Sequence, residues 1–544
     1  MSETAYLDTF ANDNLPPREQ WPELLFELDE LQYPDRLNCA AELLDKMVER
    51  GHGGAVAVRS AKLTWTYAEL LEQVNRIAGV LRSDLRLVSG NRVLLRGANN
   101  PMMAACVLAV WKAGCIAVPT MPLLRAKELG TIMDLSRVNA VLCEAGLRGE
   151  LDAACEAMPA APQRLFFHDA APDALEQKMA AMPSRFDPVD TAAEDVCLLS
   201  FTSGTTGRPK GTMHFHRDVM VICDCFPRSI LATRPDDVFI GTPPLAFTFG
   251  LGGLLLFPLR YGASTVLLEK PTPDLLLAAI AQYRATVCFT APTFYRQMAP
   301  LAANHDLRSL SRTVSAGEAL PLETRQAWQR ATGLAMIDGI GATEMLHIFI
   351  SAAGDAIRPG ATGRPIPGYR ACILDDAGNE AGPNVIGRLA IKGPTGCRYL
   401  ADPRQGDYVC KGWNLTGDAY RMDEDGYYWY QARTDDMIIS AGYNIAGPEV
   451  EEALLQHPAV AECAVVGAPD AERGQVVLAF VVPGAGYQPD AALAKALQDH
   501  VKQTVAPYKY PRRIEFRSAL PRTETGKLQR FKLRQEASQL SQSS

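Results

Sequence analysis

One ten-residue string constrains this chain more than any other feature. Thr202, Ser203, Gly204, Thr205, Thr206, Gly207, Arg208, Pro209, Lys210 and Gly211 follow directly on the apolar run from Val196 to Phe201. An apolar run of that length ending in glycines and hydroxyls reads as a strand feeding a tight turn. The glycines permit backbone geometry that a Cβ forbids and let main-chain N–H groups approach an anion, while the hydroxyls and Lys210 add donors and charge. The common nucleotide loop G-x-x-x-x-G-K-[ST] is excluded, because two residues separate Gly204 from Gly207 and Lys210 is followed by glycine. By itself, the string is an anion-binding turn or a flexible hairpin loop.

The chain has 544 residues, enough for three or four units of about 100–200 residues. Its net charge of −8 argues against general nucleic-acid binding, which needs clustered cations. One stretch runs the other way: Val501 to Arg534 holds ten Lys or Arg against Glu515 and Glu524, an excess of eight positive charges. That run is a solvated helical face or a phosphate site. Thirteen cysteines lack paired metal-ligand spacing and are expected to be reduced thiols. Met1 to Trp21 does not read as an export signal, and no stretch reaches the roughly 20 apolar residues of a membrane span. A soluble, cytoplasmic protein is expected, a monomer or homodimer, with no nucleic-acid or membrane partner.

Strand-like and helix-like segments alternate through the first two hundred residues. Leu63–Tyr67 enters a helix over Ala68–Leu81, a strand over Asn91–Leu95 precedes a helix over Pro101–Ala113, and Cys115–Val118 follows. This rhythm predicts parallel sheets covered by helices, an α/β fold. Thr286–Thr290 and Arg312–Ser315 repeat the pattern of strand followed by loop. After Tyr430 the pattern changes to a smaller α+β unit, with helices over Glu449–His457 and Ala491–Gln503 and strands over Cys463–Val466 and Val476–Val482. A boundary near Asp435 is predicted, giving domains 1–434 and 435–544.

The string at Thr202 resembles the signature loop of the adenylate-forming superfamily, which includes acyl-CoA synthetases, luciferases and peptide-synthetase adenylation domains. Further landmarks of that family follow in order: Asp338–Glu344, Gly363–Gly368, Thr416-Gly417-Asp418, Arg433–Ile445 and Pro521–Lys527. The resemblance spans nearly the whole chain. It implies a large multi-lobed N-terminal domain with parallel sheets and a distorted β-barrel lobe, plus a small mobile C-terminal lid. It also implies ATP, Mg²⁺ and coenzyme A as reactants or cofactors.

Activating a carboxylate brings two anions together, so their repulsion must be screened and charge at the α-phosphate met by fixed donors. By resemblance, the loop Thr202, Ser203, Gly204, Thr205, Thr206, Gly207 and Lys210 holds phosphates. Glu344 is the Mg²⁺ carboxylate, a hard oxygen ligand, and Thr343 reaches the α-phosphate. Lys527 is the catalytic lysine bridging carboxylate and phosphate. Asp418 accepts from both ribose hydroxyls and Arg433 also contacts the ribose. Ala316, Gly317 and Glu318 lie against the adenine ring, with Asp338, Gly339 and Ile340 beside it. Asp435 resembles the hinge on which the lid swings between two half-reactions, and Gly442 lies on the strip that approaches the pantetheine arm.

Pro243–Gly250 and Gly339–Ser351 look like the corresponding segments of benzoate and 2-aminobenzoate CoA ligases. On that resemblance Phe247, Ala316, Gly339, His347 and Ile348 line a short, flat, mostly apolar cavity for a small aromatic acid. The expected reaction is formation of an aryl-CoA, AMP and pyrophosphate, with 2-aminobenzoate favoured over benzoate. His347 either accepts from an ortho amino group or caps the ring edge; a satisfied core histidine is the other reading. The chain departs from the family pattern at Ile340, where a tyrosine is common, and at Ala441, where glycine is common. Two further functions stay open: loading a carrier protein instead of coenzyme A, and nucleotide binding without catalysis. Retention of Lys527, Glu344 and Asp418 speaks against the second.

Overall fold

The computed structural model describes residues 3–202, 209–375, 377–440, 443–470, 473–505, 507–522 and 528–542. Two sheets dominate its first part. One orders the strands Gln163–Phe167, Ala140–Glu144, Arg92–Arg96, Ile116–Thr120, Val196–Thr202 and Lys210–Phe215. All neighbours are parallel except the last pair, an antiparallel hairpin in which Thr202 faces Lys210. The other sheet carries a parallel run through Met336–Gly341, Arg312–Ser315, Val287–Thr290, Val238–Gly241, Ser264–Val266 and Val56–Arg59. Antiparallel strands finish both of its edges, Ile348–Ser351 and Arg364–Pro365 on one side and Thr64–Thr66 on the other.

Local chemistry sets the helix starts. Thr66 accepts from the Glu69 amide while the Glu69 carboxylate takes the Thr66 N–H, so the helix begins at Tyr67 and runs to Gly79. Asn100 caps the next helix, Pro101–Lys112, with Pro101 in its first turn. That helix is buried on every side, as an apolar helix wedged into a large core must be. Its Lys112 ammonium is satisfied there by Asp45 at 2.5 Å and Asn75 at 2.5 Å.

A third, antiparallel sheet contains Arg370–Leu374, Ile386–Lys392, Trp413–Met422, Val409–Cys410 and Tyr428–Arg433. It is the lobe expected as a distorted barrel, and its registers are broken by bulges at Arg388/Ala390 and Ala419/Tyr420. From Ile438 onward the chain builds a separate sheet around the long hairpin Val460–Asp470 and Gly474–Pro483. Period-two alternation sends Val465, Val477 and Val481 to a core with helices Gly447–Leu455 and Ala491–Thr504. Val466, Leu478 and Phe480 go to the opposite face, against helix Arg530–Gln542. All thirteen cysteines are free thiols. Among the described residues no helix is long and apolar enough to cross a membrane.

Candidate active site

The carboxyl ends of neighbouring parallel strands form the floor of the site, the usual location for ligands of open α/β sheets. Thr290 pairs with Ser315, and Ser315 with Asp338, so three strand ends arrive side by side. The loop after Ser315 turns at Gly317, whose φ of +86° is left-handed backbone. Glu318 is tied back by the Thr293 hydroxyl at 2.7 Å, and Ala316 is buried. Burial pushes the Asp338 carboxyl up to about 7, against the pull of the Arg325 guanidinium and the Gly339 amide.

That shift has a signed consequence. An acid raised on folding binds its proton more tightly in the native state, so its ionisation opposes folding above its native pKa. The penalty is absent below about pH 4 and complete above about pH 7. Asp338→Asn is therefore expected to raise the melting midpoint over wild type more at about pH 8 than at about pH 5. Equal offsets at the two pH values would show an ordinary carboxyl.

Glu344 sits in the 3₁₀ turn Thr343–Met345 between the strands Met336–Gly341 and Ile348–Ser351. The turn is pinned from below: His214 Nε2 lies 2.8 Å from the Thr343 carbonyl. Burial lowers His214 to about 4, so the ring is neutral and its Nε2–H donates. Beneath it, Arg398 and Asp218 form a fully buried pair at 2.7 Å. Lys210 opens the strand that carries His214 four residues on, and its Nζ lies 3.8 Å from Glu344 Oε1. Bridging them is Tyr399, which donates to Glu344 Oε1 at 2.5 Å and accepts from Lys210 at 2.8 Å. Sequence reasoning missed Tyr399. It lies 55 residues from Glu344 and 189 from Lys210, so no spacing rule links the three.

Asp418 and Arg433 face each other across the strands Trp413–Met422 and Tyr428–Arg433, with an Arg433 Nη1 to Asp418 Oδ1 contact of 3.1 Å. Arg433 also reaches the Thr416 carbonyl at 3.0 Å. Gly417 is required here: its φ is +75°, and a Cβ would lie 2.6 Å from the Arg433 guanidinium.

An aromatic cluster is built around His347, which is 3% exposed. Its ring meets Phe257 edge-on at 4.5 Å, with Phe226, Phe249 and Phe289 at 5.6, 5.8 and 6.4 Å. A Cβ on Gly252 would come within 2.5 Å of the ring, so glycine makes room for the imidazole. Gly339 does the same for Ile348, at 2.7 Å. Among the described residues neither ring nitrogen has a hydrogen-bond partner within bonding geometry, although the Phe249 backbone lies close enough to favour an N–H on one side. Burial lowers His347 to about 3, so the ring is neutral. Phe247 is 37% exposed at the start of helix Thr248–Leu251, and it is Phe249 that packs on the histidine. Ile340 is half-buried on its strand.

Ser203, Gly204, Thr205, Thr206, Gly207, Gly442 and Lys527 lie outside the described residues. Asp435 belongs to the 3₁₀ turn Thr434–Asp436, and its side chain is outside the description. Thr202 ends its strand with a buried hydroxyl that has no partner among the described residues. Cys39, Cys197 and His216 also converge within 4.8 Å in the core. His216 Nδ1 already receives the Cys39 N–H at 3.2 Å, so that nitrogen's lone pair serves core packing.

The AMP-binding enzyme family matches residues 45–399, and the AMP-binding enzyme C-terminal domain matches residues 449–527. The chain belongs to the AMP-binding enzyme family, as an acid–thiol ligase of the AMP-forming kind. Benzoate–CoA ligase of Thauera aromatica is 35% identical over 513 residues, covering 93% of this chain and 97% of that protein. The solved anthranilate CoA ligase AuaEII, in complex with anthranoyl-AMP, superposes with a TM-score of 0.88 at 32% identity, over 94% of this chain and 100% of that one. A benzoate CoA ligase from Burkholderia xenovorans LB400 gives a TM-score of 0.84 at 33% identity, over 92% and 100%.

Proposed function

We propose that this protein is an aryl-CoA ligase whose preferred acid is 2-aminobenzoate. In the first half-reaction a carboxylate oxygen attacks the α-phosphorus of ATP and pyrophosphate leaves. In the second, the coenzyme A thiolate attacks the acyl carbon and AMP leaves.

The observation that carries the choice of acid is His347. A neutral imidazole has one lone pair that must accept a hydrogen bond or go unsatisfied, and burial among phenylalanines makes the unsatisfied state costly. An ortho amino group on a flat aromatic acid supplies the missing donor, whereas benzoate leaves the nitrogen bare. Sites built to pair a substrate polar group discriminate strongly against the analogue lacking it. The second reading, benzoate, is favoured by the Thauera aromatica relative, a benzoate–CoA ligase.

Around that cavity the other residues divide the work. Asp418 and Arg433 grip the ribose, and the Ser315–Glu318 loop with Asp338, Gly339 and Ile340 receives the adenine. Lys210 and the Thr202–Gly207 loop hold the phosphates with Thr343, and Lys527 bridges the two reacting anions. Glu344 is the residue to hold Mg²⁺: its carboxylate is a hard donor, 8% exposed, and keeps Oε2 without a hydrogen-bond partner among the described residues. When bound, the ion neutralises phosphate charge. Residues 1–434 form the adenylating body and 435–544 a lid, with Asp435 as the joint and Gly442 on the strip facing the pantetheine arm.

The test is pyrophosphate release from ATP over a panel of carboxylates, with and without coenzyme A. 2-Aminobenzoate is expected to give the highest kcat/KM, about 10-fold or more over benzoate. A higher value for benzoate would establish the second reading. Release driven only by a carrier protein would overturn the coenzyme A step.

A further inference from the structure

We propose that Tyr399 is a positioning residue for adenylation: its hydroxyl bridges Lys210 and Glu344 while holding both, leaving Glu344 Oε2 directed to the metal of Mg·ATP. This rests on the adenylating reading above.

The geometry is specific. A carboxylate and an ammonium left alone in a partly buried cleft close into a direct ion pair, which takes both out of service for a nucleotide. Here they stand 3.8 Å apart, and the phenol oxygen bridges them from one side. It donates its one proton to Glu344 Oε1 at 2.5 Å and receives from Lys210 Nζ at 2.8 Å. Oε1 is thereby committed, and among the described residues no group bonds Oε2.

Tyr399 is itself immobilised. Its amide donates to Gln405 Oε1 at 2.8 Å, its backbone bridges to Thr212 in the Lys210–Phe215 strand, and its ring packs edge-on against Tyr408 at 5.8 Å. The Lys210 ammonium lies over the ring at 4.7 Å. The 3₁₀ turn bearing Glu344 is anchored by His214 of the same strand. Lys210, Tyr399 and the Glu344 turn are thus all held against the strand Lys210–Phe215, and the hydroxyl is the part that joins the two charged groups.

Tyr399→Phe keeps the ring and removes only that oxygen. The experiment measures ATP binding by calorimetry as a function of free Mg²⁺, together with adenylate formation. The Mg²⁺ concentration for half-maximal ATP binding is expected to rise about 10- to 100-fold, the range for a lost hydrogen bond to a charged group. Binding in EDTA and KM for the acid should stay near wild type. Glu344→Gln should show the same Mg²⁺ shift, and adding Tyr399→Phe to it should cost nothing more, because the residues act as one unit. An unchanged Mg²⁺ dependence, or additive losses in the double variant, would overturn the proposal and leave Tyr399 a packing residue. If Tyr399→Phe lowers the melting midpoint, the comparison within the Glu344→Gln background still decides, since a purely structural loss adds there. Should wild type adenylate no acid, the functional reading fails while the calorimetric comparison still tests Tyr399.

Discussion

Lys527→Ala is expected to slow adenylate formation by about two to three orders of magnitude, while thioester formation from a pre-made aryl adenylate stays close to wild type. The first half-reaction forces a carboxylate onto an α-phosphate that is already negative. A compact ammonium placed between them screens the repulsion and meets the charge that develops at phosphorus. Removing one such donor costs about 10²–10³ in rate where it has been measured in other enzymes. The second half-reaction begins from an acyl adenylate whose carboxyl charge is already removed by the anhydride bond, and it needs no such bridge. Lys527 lies in a run of ten cations, and deleting one solvated cation elsewhere in that run should change little, within about 0.5 kcal/mol. Pyrophosphate release, followed separately from aryl-CoA formation from synthetic adenylate, checks both parts. Equal loss in the two assays would remove Lys527 from its assigned role.

The second large effect is on selectivity. His347→Leu should erase the preference for 2-aminobenzoate over benzoate, bringing a ratio of kcat/KM values of about 10–100 close to unity. Leucine fills much the same volume among Phe226, Phe249, Phe257 and Phe289 but offers no lone pair, so the amino group loses its partner. Activity on benzoate should hold or rise, because an unpaired buried nitrogen has been replaced by an apolar group. The ratio is internal to each variant, so general damage to the fold does not mimic the result. His347 is neutral down to about pH 3, and the wild-type preference should not vary between about pH 6 and about pH 8. A variant that kept its full discrimination would place the selecting group elsewhere.

Much of this architecture was legible in local chemistry. The strand Arg312–Ser315 agrees with its predicted bounds, and the strand and helix around Arg92–Lys112 agree to within a residue or two, since apolar runs, caps and prolines act over a few residues. The helix predicted from Ala68 to Leu81 instead runs Tyr67–Gly79 before it loosens into a wider turn at Val80–Asp84. Thr66 sets its start through the capping pair with Glu69, a Thr-x-x-Glu spacing present in the sequence. The hydroxyl-and-glycine string taken alone was an anion-binding turn or a hairpin loop, and the ribose roles proposed for Asp418 and Arg433 came from the resemblance of their motifs to the adenylate-forming superfamily. The aromatic wall was harder. Phe247 and Phe249 are two residues apart and equally apolar, and which of them faces His347 depends on where helix Thr248–Leu251 begins.

Motifs and their order along the chain thus pointed, through their resemblance, to the family and to the chemistry proposed for it: a loop for phosphates, a carboxylate for a hard cation, a lysine for charge relief. Only the tertiary structure decided how those groups are held. Tyr399 reaches Glu344 across 55 residues and Lys210 across 189, and phenylalanines from distant segments surround His347, whose nitrogens have no partner among the described residues. Such relations come from sheet order and packing between elements, to which the spacing of residues along a chain carries no direct guide.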